Sequence, residues 1–162
     1  MDMTFYNTGY EVLFIGIASA CVAQILKVIF YFLTHKKINF KIFTTTGGMP
    51  SSHSAGVISL STAVGLVEGF SSVSFAIAFG FALVVLQDAA GLRRAAGKTA
   101  ATLNRLVGEI IEHTNQTKPY EVLKELLGHT PFEVFMGSLL GISCALWFHF
   151  VMPSISFLSF LK

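Results

Sequence analysis

Three short stretches carry residue types that can do chemistry. The first is Gly47-Gly48-Met49-Pro50-Ser51-Ser52-His53. Two glycines let a backbone approach a ligand closely. Ser51 or Ser52 can cap the helix that follows and leave backbone N–H groups free at its start. The dipole of a helix favours an anion there. His53 then lies in the first turn, beside any bound phosphate. The same residues also read as a plain Gly-rich turn with a serine cap.

The second stretch is Gly128-His129-Thr130-Pro131-Phe132-Glu133. Thr130 at N-cap, Pro131 at N1 and Glu133 at N3 form a capping box. Glu133 also follows His129 by four residues. A carboxylate that holds one imidazole nitrogen raises the nucleophilicity of the other. One glutamate can serve both purposes.

The third stretch is Asp88-Ala89-Ala90-Gly91-Leu92-Arg93-Arg94, at the end of an apolar run. Ionisable groups at a membrane boundary are costly unless paired, and they point to function. Snorkelling to the interface is the other reading. Lys27 presents the same choice, because it interrupts an apolar run three residues after Gln24. Taken together, two histidines, a carboxylate and several cations fit phosphoryl transfer. Lysine and arginine would hold the equatorial oxygens of the transition state.

Apolar helices must position these groups. The 162 residues are 53% hydrophobic and 12% charged, with 16 Phe. A soluble domain carries about 25% charged residues. The mean hydropathy is +0.67, so lipid is the expected solvent. The length fits a single domain over 1–162. No cleaved signal peptide is expected, so the first helix is retained. Cys21 and Cys144 lie inside apolar runs, without metal-type spacing, and read as packing residues. The net charge of +2 is too small to argue for nucleic acid.

Four runs are candidates to cross a bilayer: residues 10–33, 54–70, 73–90 and 132–152. A spanning helix needs about 20 residues, within a range of about 17–25. The second run is at the short end and rich in Ser, Gly and Ala, which suits close packing inside a membrane. Ser71 and Ser72 make the hairpin to the third. Between the third and fourth, Leu92, Ala96, Leu103, Leu106, Val107 and Ile110 give an amphipathic helical stripe. Pro119 follows it, and a short helix over 120–127 is expected to end at Gly128.

With four spans, segments 34–53 and 91–131 share one face. Lys36, Lys37, Lys41, Arg93, Arg94, Lys98, Arg105, Lys118 and Lys124 fall there, nine of the eleven basic residues. Lys162 falls on the other face, and Lys27 lies inside the first helix. The positive-inside rule puts the basic face in the cytoplasm. The end of the first helix, the start of the second, the end of the third and the start of the fourth all reach that face. The chemical stretches therefore converge in one layer.

Pro50-Ser51-Ser52-His53 resembles the Pro-Ser-Gly-His motif of the type 2 phosphatidic acid phosphatase superfamily, which also holds vanadium haloperoxidases. His129-Thr130-Pro131-Phe132-Glu133 resembles its third motif, His-x-x-x-Asp, with Gly137 nearby. GGMPSSHSAG, DAAGLRRAAGK and LGHTPFEVFMG together are similar to the divergent branch of that superfamily, over about residues 24–141. The resemblance implies that His129 is the nucleophile and forms a phosphohistidine. It implies that Glu133 stands for the usual aspartate and that His53 protonates the leaving alkoxide. Ser52, Gly48 and Lys27 would bind phosphate. The superfamily's Lys-x6-Arg-Pro is absent, since position 34 is Thr34. The arginine six residues before the third-motif histidine is replaced by Leu123. Arg93 is its stand-in, with Arg94 as the alternative.

The expected fold is all-α, an integral membrane bundle of about four transmembrane helices with a cytoplasmic amphipathic helical insertion at about 91–131. The expected activity is hydrolysis of a lipid phosphate monoester or pyrophosphate, without cofactor or metal. Asp88 alone is a weak magnesium ligand. Ser51 and Asp88 are supporting candidates. The expected location is a bacterial inner (plasma) membrane, with the site on the cytoplasmic face. The expected partners are the lipid substrate and the membrane, with room for a homo-oligomer. The alternative is a non-catalytic membrane protein that binds phosphate headgroups, or a small transporter subunit.

Overall fold

The computed structural model describes residues 6–36, 48–114, 122–123 and 128–151. The described residues are all-helical, without strands. Helix α1 is Gly9–His35, α2 is Ser52–Glu68, α3 is Val73–Gln87, α4 is Arg93–Thr114 and α5 is Pro131–Val151. A π-helical turn, Asp88–Leu92, joins α3 directly to α4. Helix α1, the α3–α4 rod and α5 are long and apolar enough to cross a membrane.

Helix α2 has 17 residues, a rise of about 26 Å, somewhat less than the roughly 30 Å hydrocarbon core. It is the central helix, packed against α1, α3 and α5. Protein covers most of its surface, so it needs little outward apolar face. Its buried residues are small: Ser52, Ser54, Ala55, Ser59, Ser61, Ala63 and Gly65, with Ile58 the larger exception. Small side chains let membrane helices approach closely. On α5, a Cβ at Gly137 would lie 2.5 Å from the Ser51 carbonyl oxygen, and one at Gly141 would lie 2.5 Å from that of Ala55. Gly56 of α2 meets Ala20 of α1. Large apolar residues such as Ile77, Phe135 and Trp147 face outward, as a lipid solvent requires.

Side-chain caps set the helix starts. The Ser51 hydroxyl accepts from the Ser54 N–H, and the Ser72 hydroxyl accepts from the Phe75 N–H. At the far end, Glu11 is buried and accepts from His149 Nδ1 at 2.8 Å, tying α1 to α5.

Two expectations need correction. The third run and the amphipathic helix are one continuous rod through the π turn, not two helices separated at residue 90. The predicted stripe is exposed at Leu92 in the π turn and at Leu103, Leu106 and Ile110 on α4. Of the short helix expected over 120–127, only Val122 and Leu123 are described, and they are not helical. The Asn104 side chain instead holds both the N–H and the C=O of Leu123 at 2.9 Å. The rest of that stretch, and Gly47, lie outside the described residues.

Candidate functional site

The chemical stretches meet at one end of the bundle. His53, Asp88, Arg93 and His129 line one small cavity, closed by Val85, Ala89 and Gly128. Its volume is about 20 Å³, room for roughly one water.

His129 is built in from both directions. Its side chain is 3% exposed, and Nδ1 lies 2.9 Å from Glu133 Oε2. An ionised glutamate only accepts, so the Nδ1 proton donates and the lone pair stays on Nε2. The same Oε2 accepts from the Thr130 N–H, and the Thr130 hydroxyl accepts from the Glu133 N–H. The capping box and the histidine clamp thus coexist on one carboxylate. Nε2 itself is buried and has no hydrogen-bond partner among the described residues. Leaving such a nitrogen unpaired costs about 1–3 kcal/mol. Burial pushes the His129 pKa below the ordinary 6.5. The hydrogen bond and charge of Glu133 oppose that shift, while the Lys27 and Arg93 cations add to it.

The π turn supplies the seat of the histidine backbone. In it the Arg93 N–H bonds to the Asp88 carbonyl, five residues back. The Ala89 carbonyl, its partner in a regular α-helix, accepts from the His129 N–H at 3.0 Å. Gly128 makes this contact possible. Its φ is +82°, and a Cβ there would sit 2.5 Å from the Arg94 backbone nitrogen. π turns inside α-helices often mark functional sites.

The remaining candidates divide. Arg93 lines the cavity and its Nε lies 2.6 Å from Asp88 Oδ2. Arg94, one residue further round the helix, does not line it. Lys27 is 3% exposed, and its charge acts on Glu133 and on both histidines. Gly48, at φ +97°, packs against the Lys27 stem, where a Cβ would lie 3.5 Å from Cγ and Cδ. The Ser51 hydroxyl is engaged in capping, accepting from Ser54 N–H and Oγ–H. Ser52 is buried at the first position of α2, and it borders a larger groove beside His53 rather than the cavity. Sequence reasoning gave Ala89 no role and read Gly128 only as a helix end. The positive φ of a glycine before a helix is a usable signal, whereas a π turn leaves none in hydrophobic periodicity.

The sequence matches the Divergent PAP2 family over residues 8–144. The chain belongs to that family. It is similar to a relative in Bacillus subtilis (strain 168) described as "Uncharacterized membrane protein YuiD". The two are 43% identical over 136 residues, which cover 78% of this chain and 86% of the relative. No solved structure shows a significant match. The Divergent PAP2 assignment thus rests on sequence, and the geometry above stands independently of it.

If Glu133 fixes the imidazole tautomer, its charge and its acceptor role should both count. Glu133→Gln keeps the shape but offers an amide that can rotate its NH₂ toward Nδ1. If His129 acts in phosphoryl transfer, phosphate release should fall by about 10⁴-fold, with the helix content of α5 kept. Unchanged release at saturating substrate would remove Glu133 from the site.

Proposed function

We propose that this membrane protein hydrolyses a phosphate monoester or pyrophosphate of a lipid through a phosphohistidine on His129. The observation that carries this reading is the buried, unpartnered Nε2 of a histidine whose other nitrogen is held by a carboxylate. Such a nitrogen is a nucleophile with its lone pair in place.

In the proposed reaction Nε2 attacks the terminal phosphorus and its P–O bond to the leaving oxygen breaks, releasing the alcohol of a monoester or the lipid monophosphate of a pyrophosphate. His53 gives its proton to the departing oxygen. Water, with His53 now acting as base, then cleaves the phosphohistidine and releases phosphate. Arg93 and Lys27 neutralise the equatorial oxygens. The Asp88–Arg93 pair supports this, since a phosphate can take over the place that the Asp88 carboxylate now holds on Arg93. Phosphatidylglycerophosphate, phosphatidic acid and prenyl pyrophosphates all carry the required group. The family resemblance implies no metal. The basic face is proposed to be cytoplasmic, following the positive-inside rule.

The test is phosphate release by purified protein in detergent with EDTA, over those three lipid classes and across pH. His129 must be neutral to attack. Its pKa lies below 6.5, so the protonated, inactive form dominates only further into acid. The acid limb of kcat/KM should therefore fall below pH 6.5. A limb centred above that value contradicts a neutral buried nucleophile, and release that requires a metal contradicts the mechanism.

A further inference from the structure

Helices α1 and α3 both pack on α2 and leave a groove between them. Its volume is about 660 Å³, within the roughly 300–1,000 Å³ of ligand pockets. The walls are apolar: Leu13, Ile17 and Ile25 from α1, Val57 and Leu60 from α2, and Phe81 from α3. Along α1 the lining runs from residue 13 to residue 25, a rise of about 18 Å, more than half of the roughly 30 Å hydrocarbon core. The polar lining side chains, Gln24, Ser52 and His53, are near one end. His53 also lines the small cavity that holds His129, while His129 does not line the groove.

That asymmetry has a chemical meaning. In phosphoryl transfer the attacking and leaving atoms lie roughly in line, on opposite sides of phosphorus. His129 marks the attacking side and His53 the leaving side. The alcohol that leaves must therefore depart toward His53, and whatever it carries continues from there. We propose that the α1–α3 groove seats a hydrocarbon chain of the leaving alcohol, held along α1. This rests on the phosphatase reading for its direction, yet chain binding can be measured without turnover. A lipid phosphate can slide into the groove sideways from the bilayer. The phosphate then reaches Arg93 while the chain stays in hydrocarbon.

The test uses a single-chain alkyl phosphonate, which cannot be hydrolysed, with a diazirine at mid-chain. It is photolysed with the full-length protein in lipid nanodiscs, and adducts are mapped by mass spectrometry. The matching alcohol, without phosphonate, is run beside it. The phosphonate should label residues 13–25 and 57–60 at least tenfold above the alcohol. Val57→Trp, which fills the groove, should cut that labelling about tenfold, and His129→Gln should keep it. Labelling spread equally over outward residues such as Phe135 and Trp147, or equal for the alcohol, overturns the groove assignment even if lipid phosphates are hydrolysed. Groove labelling by a protein that releases no phosphate keeps the chain site and removes the catalytic reading.

Discussion

His129→Ala should abolish phosphate release, by about 10⁴-fold or more. Removing a nucleophile leaves only the contribution of binding and electrostatics, and deletions in covalent catalysis are that large. The loss should not be a folding defect. The backbone contact from the 129 N–H to the Ala89 carbonyl does not involve the side chain. Glu133 keeps its bond from the Thr130 N–H, so the start of α5 stays capped. The carboxylate is 20% exposed, and water can take the position of Nδ1. Thermal unfolding should therefore move by only a few degrees while release vanishes. The wild type, quenched during turnover of a labelled lipid phosphate, should hold an acid-labile, alkali-stable phosphate on His129. Undiminished release by His129→Ala would remove the covalent mechanism. No release by either protein, on any lipid, would move the reading to headgroup binding or transport.

Much of this site is legible in the sequence because its parts are local. His129 and Glu133 are four residues apart, and the capping box that fixes Glu133 is written in consecutive residues. The same holds for the cap at Ser51, which leaves His53 in the first turn of α2. Convergence of the stretches followed from counting spans, since helix ends that alternate faces must bring 27, 53, 88 and 129 to one layer. What the sequence could not resolve is rotation. Whether Arg93 or Arg94 faces the cavity depends on about 100° of helix turn, and the π turn shifts that phase with no signature in apolar spacing. The buried face of α2 was equally hidden. Its Ser, Gly and Ala content reads as suited to close packing, but only the structure sets Gly137 and Gly141 of α5 against its backbone. The groove between α1 and α3 is a property of two helices that share a third, and no single segment encodes it.

Gly128→Ala should also cost activity, and it tests the seat of the histidine rather than its chemistry. Position 128 combines two demands. Its φ of +82° disfavours any side chain, at roughly 1–2 kcal/mol. A Cβ there would also lie 2.5 Å from the Arg94 nitrogen and 2.9 Å from the Arg93 carbonyl carbon. Both neighbours are backbone atoms of a helix, and they cannot rotate away as a flexible side chain can. The segment carrying His129 must therefore lift off the π turn, lengthening the 3.0 Å bond to the Ala89 carbonyl. Nε2 moves with it, away from Arg93 and His53. A displacement of about 1 Å can cost about 10²-fold. We expect kcat to fall by about that factor, with the protein still inserted and helical. Gly80→Ala is the matched control, since a Cβ there meets nothing within 4 Å, and it should behave as wild type. If Gly128→Ala is as active as Gly80→Ala, then the close approach of segment 128–129 to the π turn is not what aims the nucleophile, and His129 must be positioned by Glu133 alone.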